Sequence, residues 1–146
     1  MKTVSVIACF LIFSLSYAQK TDIYVKGGYA VSGYDVVAYF SHEVRKGDKN
    51  FNVPYDGAVF LFATEANAAL FKANPKKYAP QYGGHCSYAM AIKGEKVSSN
   101  PEVYEIRDGK LHLFHRAEGL TNWKKEGPEK LRPKADANWA KLVKTP

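Results

Sequence analysis

Two Asp-Gly pairs, Asp56-Gly57 and Asp108-Gly109, each stand between two short apolar or alternating runs. Asp-Gly supplies the positive φ angles that a two-residue hairpin turn requires, which makes it one of the strongest short-range signals for a β-hairpin. Phe51 to Pro54 and Ala58 to Phe62 flank the first pair, and Val103 to Arg107 and Lys110 to Phe114 flank the second, so two hairpins with the same turn chemistry are predicted. Between them the period changes. Thr64 caps a predicted short helix whose Ala66, Ala69, Leu70 and Ala73 keep helical spacing, with Glu65 in its first turn and Asn74-Pro75 at its end.

The remaining segments are less regular. Thr21 to Lys26 reads as a short strand broken by Gly27-Gly28, Asp35 as the cap of a helical turn through Phe40, and His42 to Asn50 as a loop. Tyr78 to Gly84 is turn-rich. Arg116 to Lys125 reads as a helix, Pro128 and Pro133 punctuate a basic connector, and Ala135 to Val143 reads as a last helix burying Trp139 and Leu142. No internal repeat or low-complexity tract stands out. Hairpin, helix, hairpin and terminal helices in this order give an α+β fold, a small single domain with two β-hairpins, a short central helix and C-terminal helices.

Lys2, the apolar run from Val4 to Leu15 and the small residues of Ser16-Tyr17-Ala18 read as a cleavable signal peptide over residues 1–18, so the protein is expected to be exported, periplasmic or secreted. Val6-Ile7-Ala8-Cys9 loosely resembles a lipoprotein cleavage box, but the apolar stretch ahead of Cys9 is too short to serve as a signal core. No run approaches the roughly 20 apolar residues of a transmembrane helix. The formal charge of +7 is spread along the chain and interrupted by acidic residues, a pattern of a solvated surface rather than of a nucleic-acid groove. Once Cys9 leaves with the signal, Cys86 is the only cysteine and no intramolecular disulfide can form.

Tyr55-Asp56-Gly57, Phe60, Phe62, Phe71, Asn74-Pro75 and Tyr78 together resemble the YHS domain family. Ser32 to Phe40, Gln81 to Ala89 and Ala135 to Trp139 look like its exported, stand-alone members, so residues 19–146 are read as a single YHS-like domain, with a core over about 29–125 and a C-terminal helical extension. The resemblance implies an association with metals. In relatives fused to heavy-metal transporters the aromatic strand runs into a Cys-x-x-x-Cys helix start; here those positions are Ala63 and Asn67, neither of which can replace a soft thiolate. Any metal function must rest on other residues.

Cys86, His85 and Met90 form the candidate metal set, since thiolate, imidazole and thioether together favour copper. Adjacent side chains such as His85 and Cys86 diverge in either regular structure, whereas Cys86 and Met90 share a face if their segment is helical. Three readings of Cys86 stand side by side: metal ligand, buried core residue, and reactive thiol. In Leu111 to His115 the alternation puts His112 and His115 on opposite faces, one exposed and one partly buried. A papain-like hydrolase built from Gln81, Cys86, a histidine and Asn138 is rejected, because those enzymes place histidine and asparagine more than about a hundred residues beyond the cysteine and this chain ends at Pro146. The expected function is therefore binding of a metal ion, copper first, without catalysis, with thiol redox chemistry at Cys86 or a protein interaction module as the alternatives.

The mature N-terminus is expected at Gln19, after cleavage behind Ala18. Intact mass of the exported protein checks this, and a mass that carries lipid on Cys9 overturns it.

Overall fold

A computed structural model describes residues 21–143; the expected signal segment lies outside them. Asp56 (φ 49°) with Gly57 (φ 77°), and Asp108 (φ 50°) with Gly109 (φ 71°), both adopt the left-handed pair of a type I′ turn. The first joins β3 (Asp48–Tyr55) to β4 (Ala58–Phe62), and the second joins β5 (Asn100–Arg107) to β6 (Lys110–Phe114). Strand β3 thus begins within the segment read as a loop. Ahead of them Gly27-Gly28 does more than end a strand: it turns a third, minimal hairpin between β1 (Val25–Lys26) and β2 (Tyr29–Ala30). All three sheets among the described residues are antiparallel and two-stranded, so with the helices the fold is α+β.

Helix α1 (Glu65–Ala73) starts where expected, with the Thr64 hydroxyl accepting from the Asn67 N–H at 3.1 Å. Its Phe71 stacks on Phe60 at 4.8 Å and meets Phe62 at 5.1 Å, the centre of the first core. Pro75 then opens α2 (Pro75–Tyr78), and α3 (Ser87–Lys93) follows after a 3-10 turn over Gln81–Gly84. Helix α4 (Ala117–Glu126) matches expectation, but α5 spans Pro128–Leu142, much earlier than the sequence indicated. Pro128 takes the first helical position, where no N–H is missed, and Pro133 lies inside the helix on an exposed side with Glu129, so the carbonyl it leaves unpaired faces water. The buried residues of α5 are Pro128, Leu131 and Ala135; Trp139 is only partly covered and Leu142 is 42 % exposed, contrary to the expected pair. Asn138 Nδ2 donates to the Met90 carbonyl at 2.9 Å and so ties α5 to the end of α3. No helix among the described residues is long and apolar enough to cross a membrane.

The absence of a repeat in the sequence does not carry over to the structure. At one constant offset, β3, β4 and the start of α1 at Glu65 recur bound for bound as β5, β6 and the start of α4 at Ala117. Both hairpins carry the same register slip, from Asp48↔Phe62 to Asn52↔Leu61 and from Asn100↔Phe114 to Tyr104↔Leu113. The correspondence extends upstream. Val31, Ser32 and Gly33 (φ 51°, 56°, 79°) are matched by Tyr82, Gly83 and Gly84 (φ 55°, 62°, 87°), each a run of three left-handed residues. Two residues on, the Asp35 N–H donates to the Arg45 carbonyl and the Cys86 N–H to the Val97 carbonyl, both at 2.9 Å. The side chains diverged while the backbone course stayed, which hides the repeat from a reading of residues.

Asp35 is fully buried and joins two segments of the first half. Its Oδ1 accepts from the N–H groups of Val37 (2.9 Å) and Ala38 (3.1 Å), and its Oδ2 from the Ala63 N–H (2.9 Å) and Asn67 Nδ2 (2.8 Å). In the second half the position on β6 that corresponds to Phe60 is His112, 1 % exposed, with Nδ1 2.8 Å from the Ser87 hydroxyl and its ring 5.1 Å from Trp123. Burial, reinforced by the nearby Arg132 cation, lowers the His112 pKa to about 4, against weaker opposing attractions from Glu105 and Asp136. The expectation of one inner and one outer histidine holds, since His115 is exposed.

Two outcomes follow. Asp35→Asn keeps the shape but turns an amide donor toward the Ala63 N–H or the Asn67 amide, so urea unfolding is expected to show a loss of about 2–4 kcal/mol; a loss below about 0.5 kcal/mol contradicts the role given to the carboxylate. Because the folded His112 pKa lies below the unfolded value of 6.5, the unfolded chain binds more protons between those limits. Its contribution is therefore complete above pH about 6.5 and declines as pH falls toward 4, by about 3 kcal/mol. His112→Gln should flatten that part of the stability–pH curve, and an unchanged slope would show that His112 is not its source.

Candidate functional site

Cys86 caps the start of α3, and an isolated parallel bridge pairs it with Leu113 on β6. That bridge brings the thiol beside the end of β6, where His115 lies two residues beyond Leu113. Cys86 and His115 line one groove of about 250 Å³, together with Ala89, Ile92, Val97 and Gly119. Cys86 is 3 % exposed and is the only free cysteine among the described residues. The Ala89 N–H points to its Sγ at 3.5 Å. The opposite wall is open because residue 119 has no side chain: a Cβ there would come within 4.0 Å of the sulfur.

His115 Nδ1 lies 2.9 Å from the Ser98 carbonyl. A carbonyl can only accept, so this bond places the proton on Nδ1 and leaves Nε2 of the neutral ring with a free lone pair. Metal-binding histidines are commonly oriented in this way, through a hydrogen bond from the other ring nitrogen. The arrangement thus joins a sulfur donor to an oriented nitrogen donor.

Of the three sequence candidates, only Cys86 lines this groove. His85 Nδ1 is 2.9 Å from the Tyr82 carbonyl, and its ring faces Tyr24 at 5.7 Å and Trp139 at 6.1 Å rather than the groove that holds Cys86. Burial, only partly offset by that hydrogen bond, lowers the pKa of His85. Met90 is fully buried in the second core with Phe114 and Trp123. Segment 87–93 is helical, as sharing of a face by Cys86 and Met90 required, and both side chains belong to the second core, but only Cys86 lines the groove. Among the described residues no group of three or more His, Cys, Asp or Glu side chains is placed to hold a metal ion.

The two halves differ at the positions that line the groove. Ala63 corresponds to His115, Asn67 to Gly119, and Asp35 to Cys86. In the first half the Asp35 carboxylate is saturated by the Ala63 N–H, the Asn67 amide and two further N–H groups, so the positions occupied by cysteines in the transporter-fused relatives are closed by hydrogen bonds. In the second half glycine replaces the asparagine, a thiol replaces the carboxylate and an imidazole replaces the alanine. His115 and Gly119 were missed in the sequence. The signal that could have found them was the equal distance of Ala63 and His115 from their respective Asp-Gly turns.

No curated protein and no solved structure matches the chain. The family model of the YHS domain matches residues 41–82, which hold the first hairpin, α1 and α2. The likeness to the YHS domain thus covers residues 41–82, and the second half repeats the hairpin and helix start beyond the matched region.

Proposed function

We propose that the protein is an exported, non-catalytic binding protein for a soft metal ion of the copper type, with the Cys86 thiolate as its sulfur ligand and His115 as its nitrogen ligand. The observation that carries this reading is the shared groove, which is lined by both a buried thiol and an imidazole whose Nε2 is left as an acceptor. Sulfur and imidazole donors together suit copper, and sulfur selects Cu(I) over hard cations. The family to which residues 41–82 belong is linked to metal handling, often of copper. With two side-chain donors and an open wall at Gly119, the groove leaves room for a ligand from a donor or acceptor molecule, which suits a protein that passes its ion on. Export rests on the N-terminal segment.

Purified protein is expected to take up about one equivalent of Cu(I), with the thiol protected from alkylation while the metal is bound. Cys86→Ser should abolish uptake and His115→Ala should weaken it about 10- to 100-fold, whereas His85→Gln should leave it within about twofold. Gly119→Leu provides the sharpest variant, since it fills the groove while adding a strong helix former to α4 and so should remove metal binding without lowering the melting temperature. A stable Cys86→Ser protein that binds copper as tightly as the parent would remove the site.

A further inference from the structure

His115 also lines a second and larger cavity, of about 530 Å³, the size of an ordinary small-molecule site. Both halves build it. Lys26 comes from the tip of the minimal hairpin, Ser32 from the first left-handed run, Lys46 from the segment whose backbone bridges Tyr34, and Ser98, Ser99 and Asn100 from the entry to β5.

The chemistry of this lining has one sign. Two lysines contribute to it and no carboxylate does, and neither Lys26 nor Lys46 takes part in an ion pair among the described residues. Besides the His115 ring, the other polar groups are three serine hydroxyls, an asparagine amide and the phenols of Tyr24 and Tyr34, all of which can donate hydrogen bonds. Ser99 is 7 % exposed, and its hydroxyl has no hydrogen-bond partner within the protein. A buried hydroxyl without a partner is costly to the fold, so its presence in the wall of a donor-rich cavity points to an acceptor supplied by a ligand.

We propose that this cavity binds a small organic oxyanion, a phosphate or sulfate ester, with Lys26 and Lys46 supplying the charge, Ser99 and its neighbours the hydrogen bonds, and the tyrosines the wall for the organic part. A tetrahedral oxyanion offers more acceptor positions than a carboxylate and so matches a ring of many donors. His115 borders both sites, but the charge and hydrogen bonds assigned here come from neither Cys86 nor a metal.

The test is a titration of the purified protein, followed by amide proton–nitrogen NMR, with phenyl phosphate, phenyl sulfate and benzoate at one fixed ionic strength. Phenyl phosphate or phenyl sulfate should give saturable shifts at Lys26, Ser32, Lys46 and Ser98 to Asn100, and whichever ester binds more tightly names the group; benzoate should bind at least about fivefold more weakly than the better ester. The Lys26→Gln, Lys46→Gln double variant should lose at least about tenfold in affinity at an unchanged melting temperature. Ser99→Ala should weaken binding without destabilising the fold, because its hydroxyl has no partner there to lose. Cys86→Ser should bind the ester as the parent does, which separates a failure here from a failure of the metal site. Shifts that fail to saturate or that spread to Lys124 and Lys125, equal binding of benzoate, or full affinity in the double variant would overturn the proposal.

Discussion

The buried carboxylate of Asp35 fixes the first half of this protein, because it must be satisfied where no water reaches it. An ionised carboxylate withdrawn from solvent is tolerated only when donors surround it. Here they come from two directions: the turn that follows Asp35, and the junction between β4 and α1. The upstream segment and the hairpin–helix unit are thereby held in one relation, and the aromatic core of Phe60, Phe62 and Phe71 can close on the other side of β4 and α1. A weaker acceptor at residue 35 would leave that relation to apolar packing alone, which is far less directional.

The second half keeps the geometry and gives up the carboxylate. Cys86 occupies the place of Asp35, but a thiol accepts hydrogen bonds weakly, and the groups that would satisfy a carboxylate have changed with it. What fixes the second half instead is α5, which packs Leu131 and Ala135 against the second core and reaches the end of α3 through Asn138. Polar groups also work deeper inside: Trp123 Nε1 donates to Glu105 at 2.8 Å, and although burial opposes ionisation there, this bond and the one from Arg107 hold the Glu105 carboxyl below its usual range. One half is thus braced from within by a carboxylate, and the other from outside by a helix.

Much of the fold was written in local chemistry. The Asp-Gly turns, the Thr64 cap, the Asn74-Pro75 stop and the capping role of Asp35 toward its own turn depend on residues a few places apart, and all are found where the sequence indicated. The readings that failed depended on something distant. Pro133 reads as a helix breaker until it is known that its side of α5 faces solvent, and Gly27-Gly28 reads as an end until Tyr29 and Ala30 are seen to pair back. Cys86 was legible as the residue of interest, but its neighbour was not: the bridge to Leu113 that sets His115 beside it joins segments far apart in the chain. The downstream reach of Asp35 to Ala63 and Asn67 was hidden for the same reason.

The second hairpin does not keep to its own half. Leu111 and Leu113 lie in the first core with Phe60 and Phe71, while Phe114, the next residue, lies in the second with Trp123. A duplicated unit usually remains a module that can be cut away, copied again or exchanged. In this chain β6 stitches the two cores together, so neither half contains all of its own interior. Cut in the linker before α3, the two fragments would each expose part of a shared interior and would regain structure by recombining rather than alone. Whatever its origin, the repeat has become a single indivisible body, in which neither copy can be lost without opening the interior of the other.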